Sequence, residues 1–105
     1  MSIDINLKNE LDADFWEVFV NGELDVSTAD QFKEYLHKLI DKDIKNIRFD
    51  LSNLDYIDST GLGVMIGVLK RIKIENKEIY IKSPKDNVKK IFSITGLDKI
   101  FKMEG

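Results

Sequence analysis

The chain has 105 residues, 43% of them hydrophobic and 33% charged, a length that allows one hydrophobic core and a composition that excludes disorder. Its formal net charge of −3 is not the basic footprint of a nucleic-acid binder, and the absence of cysteine excludes a disulfide framework and any thiolate metal or redox site. The opening MSIDINLKNE carries charges where a signal peptide needs an apolar core, and no apolar run approaches the ~18 residues of a membrane span. A soluble cytoplasmic protein with no membrane partner and no direct nucleic-acid partner is expected.

In chain order, Ile3, Ile5 and Leu7 alternate with Asp4, Asn6 and Lys8, the period of a half-buried strand. FWEVFV over 15–20 is aromatic and β-branched, a second strand, and the charged NELDAD before it predicts an antiparallel hairpin. Asn21-Gly22 reads as a break in the second strand, with Glu23-Leu24-Asp25 leading away. Ser27 with Asp30, or Thr28 with Gln31, has the spacing of a capping box and predicts a helix start. Phe32, Tyr35, Leu36, Leu39 and Ile40 then recur at helical spacing and give that helix one buried face, with the only histidine, His37, beside it. Ile47, Phe49 and Leu51 alternate with Arg48, Asp50 and Ser52 as a third strand.

A second helix is expected over about 60–74, with apolar stripes on more than one face, and EIYIK over 78–82 forms a fourth strand. Ser83-Pro84 reads as an N-cap followed by proline at the first helical position, opening a last helix that buries Val88, Ile91 and Phe92. Gly96 ends it, and Leu97, Ile100 and Phe101 allow one more short element. The basic pairs Lys70–Arg71 and Lys89–Lys90 fall in helical patterns and read as solvated faces. The expected fold is α/β: a mixed sheet of about four to five strands, an N-terminal antiparallel hairpin, parallel strand–helix–strand crossovers, three main helices and a short C-terminal element. It forms a single domain over 1–105.

The chemistry concentrates in YIDSTGLG, residues 56–63, a turn opening the second helix. A helix start carries unsatisfied N–H groups and about half a positive charge, which favour an anion or a hydroxyl. Asp58, Ser59 or Thr60 could simply cap that start. The glycines are less easily explained, since each costs roughly 1 kcal/mol of helix propensity against alanine. Close packing on the sheet can account for Gly63 and Gly67, and Gly61 is harder to explain that way. Hydrolase chemistry is not indicated: G-x-S-x-G is absent, with Ile57 at its first glycine, and His37 lies away from the motif. Nor is there a G-x-x-x-x-G-K-[ST] phosphate loop. The chain is read as a non-enzyme with no cofactor and no metal. A small anion or nucleotide site remains one alternative. Modification of Ser59 is the other, since phosphate at a helix start meets a favourable dipole while adding about −1.5 to −2 charge to any contact made there.

YIDSTGLGVMIGVLKRIK preceded by NIRFDLSNL, together with NGELDVSTADQF and IYIKSPKDNVKKIFSITGLDKIF, resembles the STAS-domain anti-sigma factor antagonists over essentially the whole chain. The resemblance implies a partner switch. The unphosphorylated antagonist binds an anti-sigma factor that is also a serine protein kinase, which frees the sigma factor; phosphorylation ends the interaction, and a serine phosphatase resets it. It also implies that Ser59 is the modified residue, with Thr60 a secondary candidate, and that Asp25 in the GELD turn supports partner binding beside it. The contact surface is expected to comprise the 22–28 turn, the 55–63 turn and the exposed side of the second helix. Its residues would be Asp25, Ile57, Asp58, Ser59, Thr60, Gly61, Leu62, Gly63, Val64 and Val68, with core packing an equal alternative for Val64 and Val68, while Met65 and Ile66 belong to the core. The free protein is expected to be monomeric. The other reading is a STAS-type nucleotide- or anion-binding or scaffold module without phosphorylation.

Overall fold

Alternation along Ile3–Lys8 and Phe15–Leu24 builds β1 and β2, which pair antiparallel with Leu7 opposite Val18 and Ile5 opposite Val20. The computed structural model describes residues 2–105. Trp16, Val18, Val20 and Leu24 point into the core, while Phe15, Glu17 and Phe19 line the other face. Gly22 does not end the second strand, as its sequence suggests, but bends it. At φ +100 it occupies a conformation that L side chains avoid, and a Cβ there would lie 2.5 Å from the Ser2 carbonyl oxygen. The register with the strand that pairs there, over 54–57, shifts between Gly22 and Glu23, a bulge whose extra residue is Asp55. β2 then continues to Leu24.

Helix α1, Ala29–Lys42, buries Phe32, Leu36, Leu39 and Ile40 at the spacing read from the sequence. β3, Asn46–Asp50, runs parallel to the first half of β2. β4, Leu54–Ile57, was not expected: it pairs parallel with the last residues of β2, beyond the bulge, and brings the sheet to six strands. Its inward residues Leu54 and Ile57 are three apart, so no alternation announces it. Helix α2, Ser59–Lys73, follows after a single residue and packs on α1. β5, Ile79–Lys82, lies parallel to β3.

Ser83-Pro84 is not the cap of the next helix. Ser83 takes a left-handed backbone (φ 53) and donates its N–H to Glu104 O at 2.9 Å, closing β5 against β6; Lys85 is the N-cap of α3, Asp86–Ile94. A 3-10 turn over Leu97–Lys99 and β6, Lys102–Glu104, supply the short C-terminal element, with β6 parallel to β5. Phe92 of α3 meets Phe101 edge to face at 5.6 Å. The strand order is β1-β2-β3-β5-β6, with β4 beside the end of β2, and one core unites α1, α2, α3 and the inner face of the sheet. The mixed α/β architecture expected from the sequence is the one observed.

Candidate functional site

Because β4 pairs with the end of β2, Leu24 stands in register with Ile57, and the turns leaving the two parallel strands lie side by side. The Asp58 N–H donates to Leu24 O at 3.2 Å. Asp58 is extended (φ −117, ψ −176), and its Oδ1 accepts from Thr60 N at 2.9 Å and Gly61 N at 3.2 Å. The Leu62 N–H bonds the Asp58 carbonyl at 3.0 Å. Asp58 therefore caps α2 unaided and takes two of the N–H groups, those of Thr60 and Gly61, that an anion at this helix start would need. Ser59, the first helical residue, and Thr60 are both exposed, and neither hydroxyl makes a hydrogen bond among the described residues.

The neighbouring turn is built differently from the expected capping box. Asp25 is nearly buried, and its Oδ1 accepts from Ser27 N at 2.8 Å and Ser27 Oγ at 2.6 Å. The Ser27 hydroxyl holds the Asp25 carboxyl below its ordinary value of 3.8. Thr28 is the N-cap of α1 by position, but its buried hydroxyl turns back, donating to Glu23 O at 2.9 Å and accepting from Asp25 N at 3.0 Å. Neither proposed Ser/Thr pairing forms a box. The GELD turn is instead a self-satisfied knot that holds Asp25 beside the start of α2.

Between α1 and α2 a groove of about 280 Å³ is lined by Asp30, Lys33, His37, Thr60, Val64 and the backbone at Gly63 and Gly67. The glycines divide opposite to expectation. A Cβ on Gly61 would lie 2.5 Å from Leu24 Cγ and 3.1 Å from its carbonyl, so Gly61 is demanded by the packing of α2 on β2. At Gly63 and Gly67 a Cβ would meet nothing within 4 Å. Packing does not explain them, and they leave helix backbone bare along the groove.

The side chains of Ile57, Leu62 and Val68 are 1%, 4% and 0% exposed. They belong to the core: Ile57 is the inward last residue of β4, and α2 turns Leu62 and Val68 toward the sheet, which settles for the core the alternative left open at Val68. Met65 is likewise core, and Ile66 is partly buried against it. Val64, half-buried at the groove, is the apolar surface residue among the candidates. Sequence reasoning missed the contribution of α1. Arg71 donates to His37 Nδ1 at 2.8 Å and pairs with Asp41, tying the two helices together at the end of the groove. The helical spacing of Lys33, His37 and Asp41 on α1 was the available signal.

The family model for the STAS domain matches residues 7–105. The chain is 38% identical over 95 residues to an anti-sigma-B factor antagonist of Staphylococcus aureus, covering 90% of this chain and 88% of that one. A Thermotoga maritima protein solved as a candidate anti-sigma factor antagonist superposes with a TM-score of 0.84 at 28% identity, over 98% of this chain and 86% of the other. The phosphorylated form of the Bacillus cell-fate determinant SpoIIAA shares the fold, with a TM-score of 0.71 at 17% identity over 99% of this chain and 92% of that one. The chain belongs to the STAS-domain family. Its curated relatives are regulators named for antagonism of an anti-sigma factor, not for a reaction. Among the described residues, no helix is long and apolar enough to cross a membrane.

Proposed function

We propose that this chain is a single-domain anti-sigma factor antagonist switched by phosphorylation of Ser59. The unphosphorylated form binds an anti-sigma factor that is also a serine kinase and frees the sigma factor; phosphate on Ser59 ends the contact, and a serine phosphatase restores it. The observation that carries this reading is the division of labour at the start of α2: Asp58 caps the helix, and the Ser59 hydroxyl next to it is exposed and idle. A structural serine would cap. The names of the relatives support the antagonist role, and SpoIIAA is a protein of this fold solved in both phosphorylated and unphosphorylated forms.

The docking surface consists of Asp25 in its knot, Asp58, Ser59, Thr60, Gly63, Val64 and Gly67, where absent side chains let a partner approach the α2 backbone. The free protein is a monomer in the cytoplasm. Asp25, Asp55 and Asp58 already make this end acidic, and among the described residues Asp55 pairs with Lys85. A phosphate of about −1.5 to −2 charge would put a heavily hydrated anion in the centre of the contact. The alternative anion or nucleotide site is disfavoured because Asp58 already occupies the N–H groups of Thr60 and Gly61.

The test is intact-mass analysis after incubation with ATP and the host's anti-sigma kinases. One added phosphate, roughly 80 Da, mapping to Ser59 and absent in Ser59→Ala, is expected. No added mass with any of these kinases, or the same mass gain in Ser59→Ala, would count against the switch.

A further inference from the structure

Lys70 lies roughly 17 Å along the axis of α2 from Ser59, at 1.5 Å per residue, and around it the surface changes sign. A pocket of about 470 Å³ opens between the last turns of α2, the start of β5 and the segment joining α3 to β6. Its floor is apolar: Leu69 is buried and Ile100 is 44% exposed. Its rim carries Lys70, Lys73, Lys99 and Lys102 against a single carboxylate, Glu78. That carboxylate is already engaged, with Lys73 Nζ 2.5 Å from its Oε2. Lys70, Lys99 and Lys102 form no ion pair among the described residues.

Three uncompensated ammonium groups thus surround an apolar floor in a chain whose net charge is −3. The sequence reading of Lys70 as a solvated face accounts for the charge but not for the exposed isoleucine between the charges. Protection of a sheet edge accounts for Lys102 on β6 but not for Lys70 or Lys99.

We propose that this pocket is a second docking surface, for an acidic segment of a partner protein that carries an apolar anchor. Carboxylates of the segment pair with Lys70, Lys99 and Lys102, and a leucine-sized side chain covers Leu69 and Ile100. A second copy of this chain is a poorer occupant. Its own acidic cluster, at Asp25 and Asp58, lies at the other end of α2, so copies would join head to tail and not in the self-complementary two-fold contact of the common dimer, and Asp25 is nearly buried. The pocket shares no residue with the α1–α2 groove, so this proposal is independent of the Ser59 switch.

The experiment is an NMR titration of the ¹⁵N-labelled full chain with a synthetic acidic heptapeptide containing two leucines. Saturable shifts at Leu69, Lys70, Lys99 and Ile100 are expected, with a Kd of roughly 0.1–1 mM that weakens about tenfold when salt is raised from ~0.05 to ~0.5 M. The K70E/K99E variant changes two exposed positions, keeps the fold by circular dichroism, and should lose about tenfold or more in affinity. Absence of saturable shifts, equal binding of the same peptide with serines for leucines, or equal binding of inorganic polyphosphate would overturn the proposal. So would shifts centred on the α1–α2 groove, or a mass that grows with protein concentration.

Discussion

His37 shows how a single side chain ties the floor of the docking face to pH. The Arg71 guanidinium donates to its Nδ1, so the ring is held neutral, with its proton on Nε2. Burial, then the positive charges of Arg71 and Lys33, lower its pKa from the ordinary 6.5, and Asp41 opposes them. The sign follows from linkage. The unfolded chain takes up a proton near pH 6.5 that the folded chain refuses, so the folded state loses stability as pH falls from 6.5 toward the lower folded value. Above 6.5 the contribution is complete. The melting temperature of the wild type should therefore fall more between about pH 7.5 and pH 5.5 than that of His37→Gln, whose amide oxygen can still accept from Arg71. Parallel curves would remove His37 from the account. The sequence offered only a histidine beside an apolar stripe; its partner is 34 positions away on another helix.

At the scale of the element, α2 carries three glycines with two different causes. Gly61→Ala would drive a methyl into Leu24, a fully buried side chain fixed in the core, and overpacking of that kind costs typically 1–3 kcal/mol against about 1 kcal/mol gained in helix propensity. Gly63→Ala meets open space and should stabilise by up to about 1 kcal/mol. Urea denaturation separates the two: the midpoint should fall for Gly61→Ala and rise for Gly63→Ala. Binding of the anti-sigma partner by Gly63→Ala should nonetheless weaken, because the new methyl stands in the groove; a stabler variant that binds as well would make Gly63 irrelevant to docking. The sequence showed that these glycines were unusual but not which was which, since that depends on where Leu24 ends up after the bend at Gly22. The periodic elements, α1, β3 and the first part of β2, were legible because the spacing of their apolar residues is itself the cause of their burial. β4 was not, because four residues with Leu54 and Ile57 inward fit no period. Ser83 was misplaced because its N–H is claimed by Glu104, a pairing made only when β6 forms. At the site, the acidic turn and its serine were legible as a motif. The buried sides of β4 and α2 were not: apolar residues on more than one face of α2 leave Val68 open between core and surface, and Ile57 and Leu62, expected at the contact, lie in the core.

For the whole molecule, the question is whether a charge at Ser59 unsettles the fold or only the contact. Ser59 is exposed, its side chain bonds nothing among the described residues, and the residue that secures the helix start is its neighbour Asp58. The core beneath, through Leu62, Met65 and Leu69, is continuous with α1 and the sheet and does not reach the Ser59 hydroxyl. A negative group at the first helical position gains from the helix dipole by about 0.3–1 kcal/mol, and the like charge of Asp58 beside it takes back part of that gain. Ser59→Asp should therefore melt within a few degrees of the wild type, about 0–4 °C, while binding to the anti-sigma partner falls by roughly tenfold or more. Asp58→Ala is the counterpart. It removes the cap and should cost about 1 kcal/mol, or ~4–8 °C in a domain of this size. Calorimetry and binding measured on the same two variants decide the matter. If Ser59→Asp melts as low as Asp58→Ala, the serine is part of the scaffold, and loss of binding would follow from loss of structure. If only Asp58→Ala melts early, the domain separates a residue that holds the helix from one left free to be written on, and a phosphate can then turn the contact off without unfolding the protein that carries it.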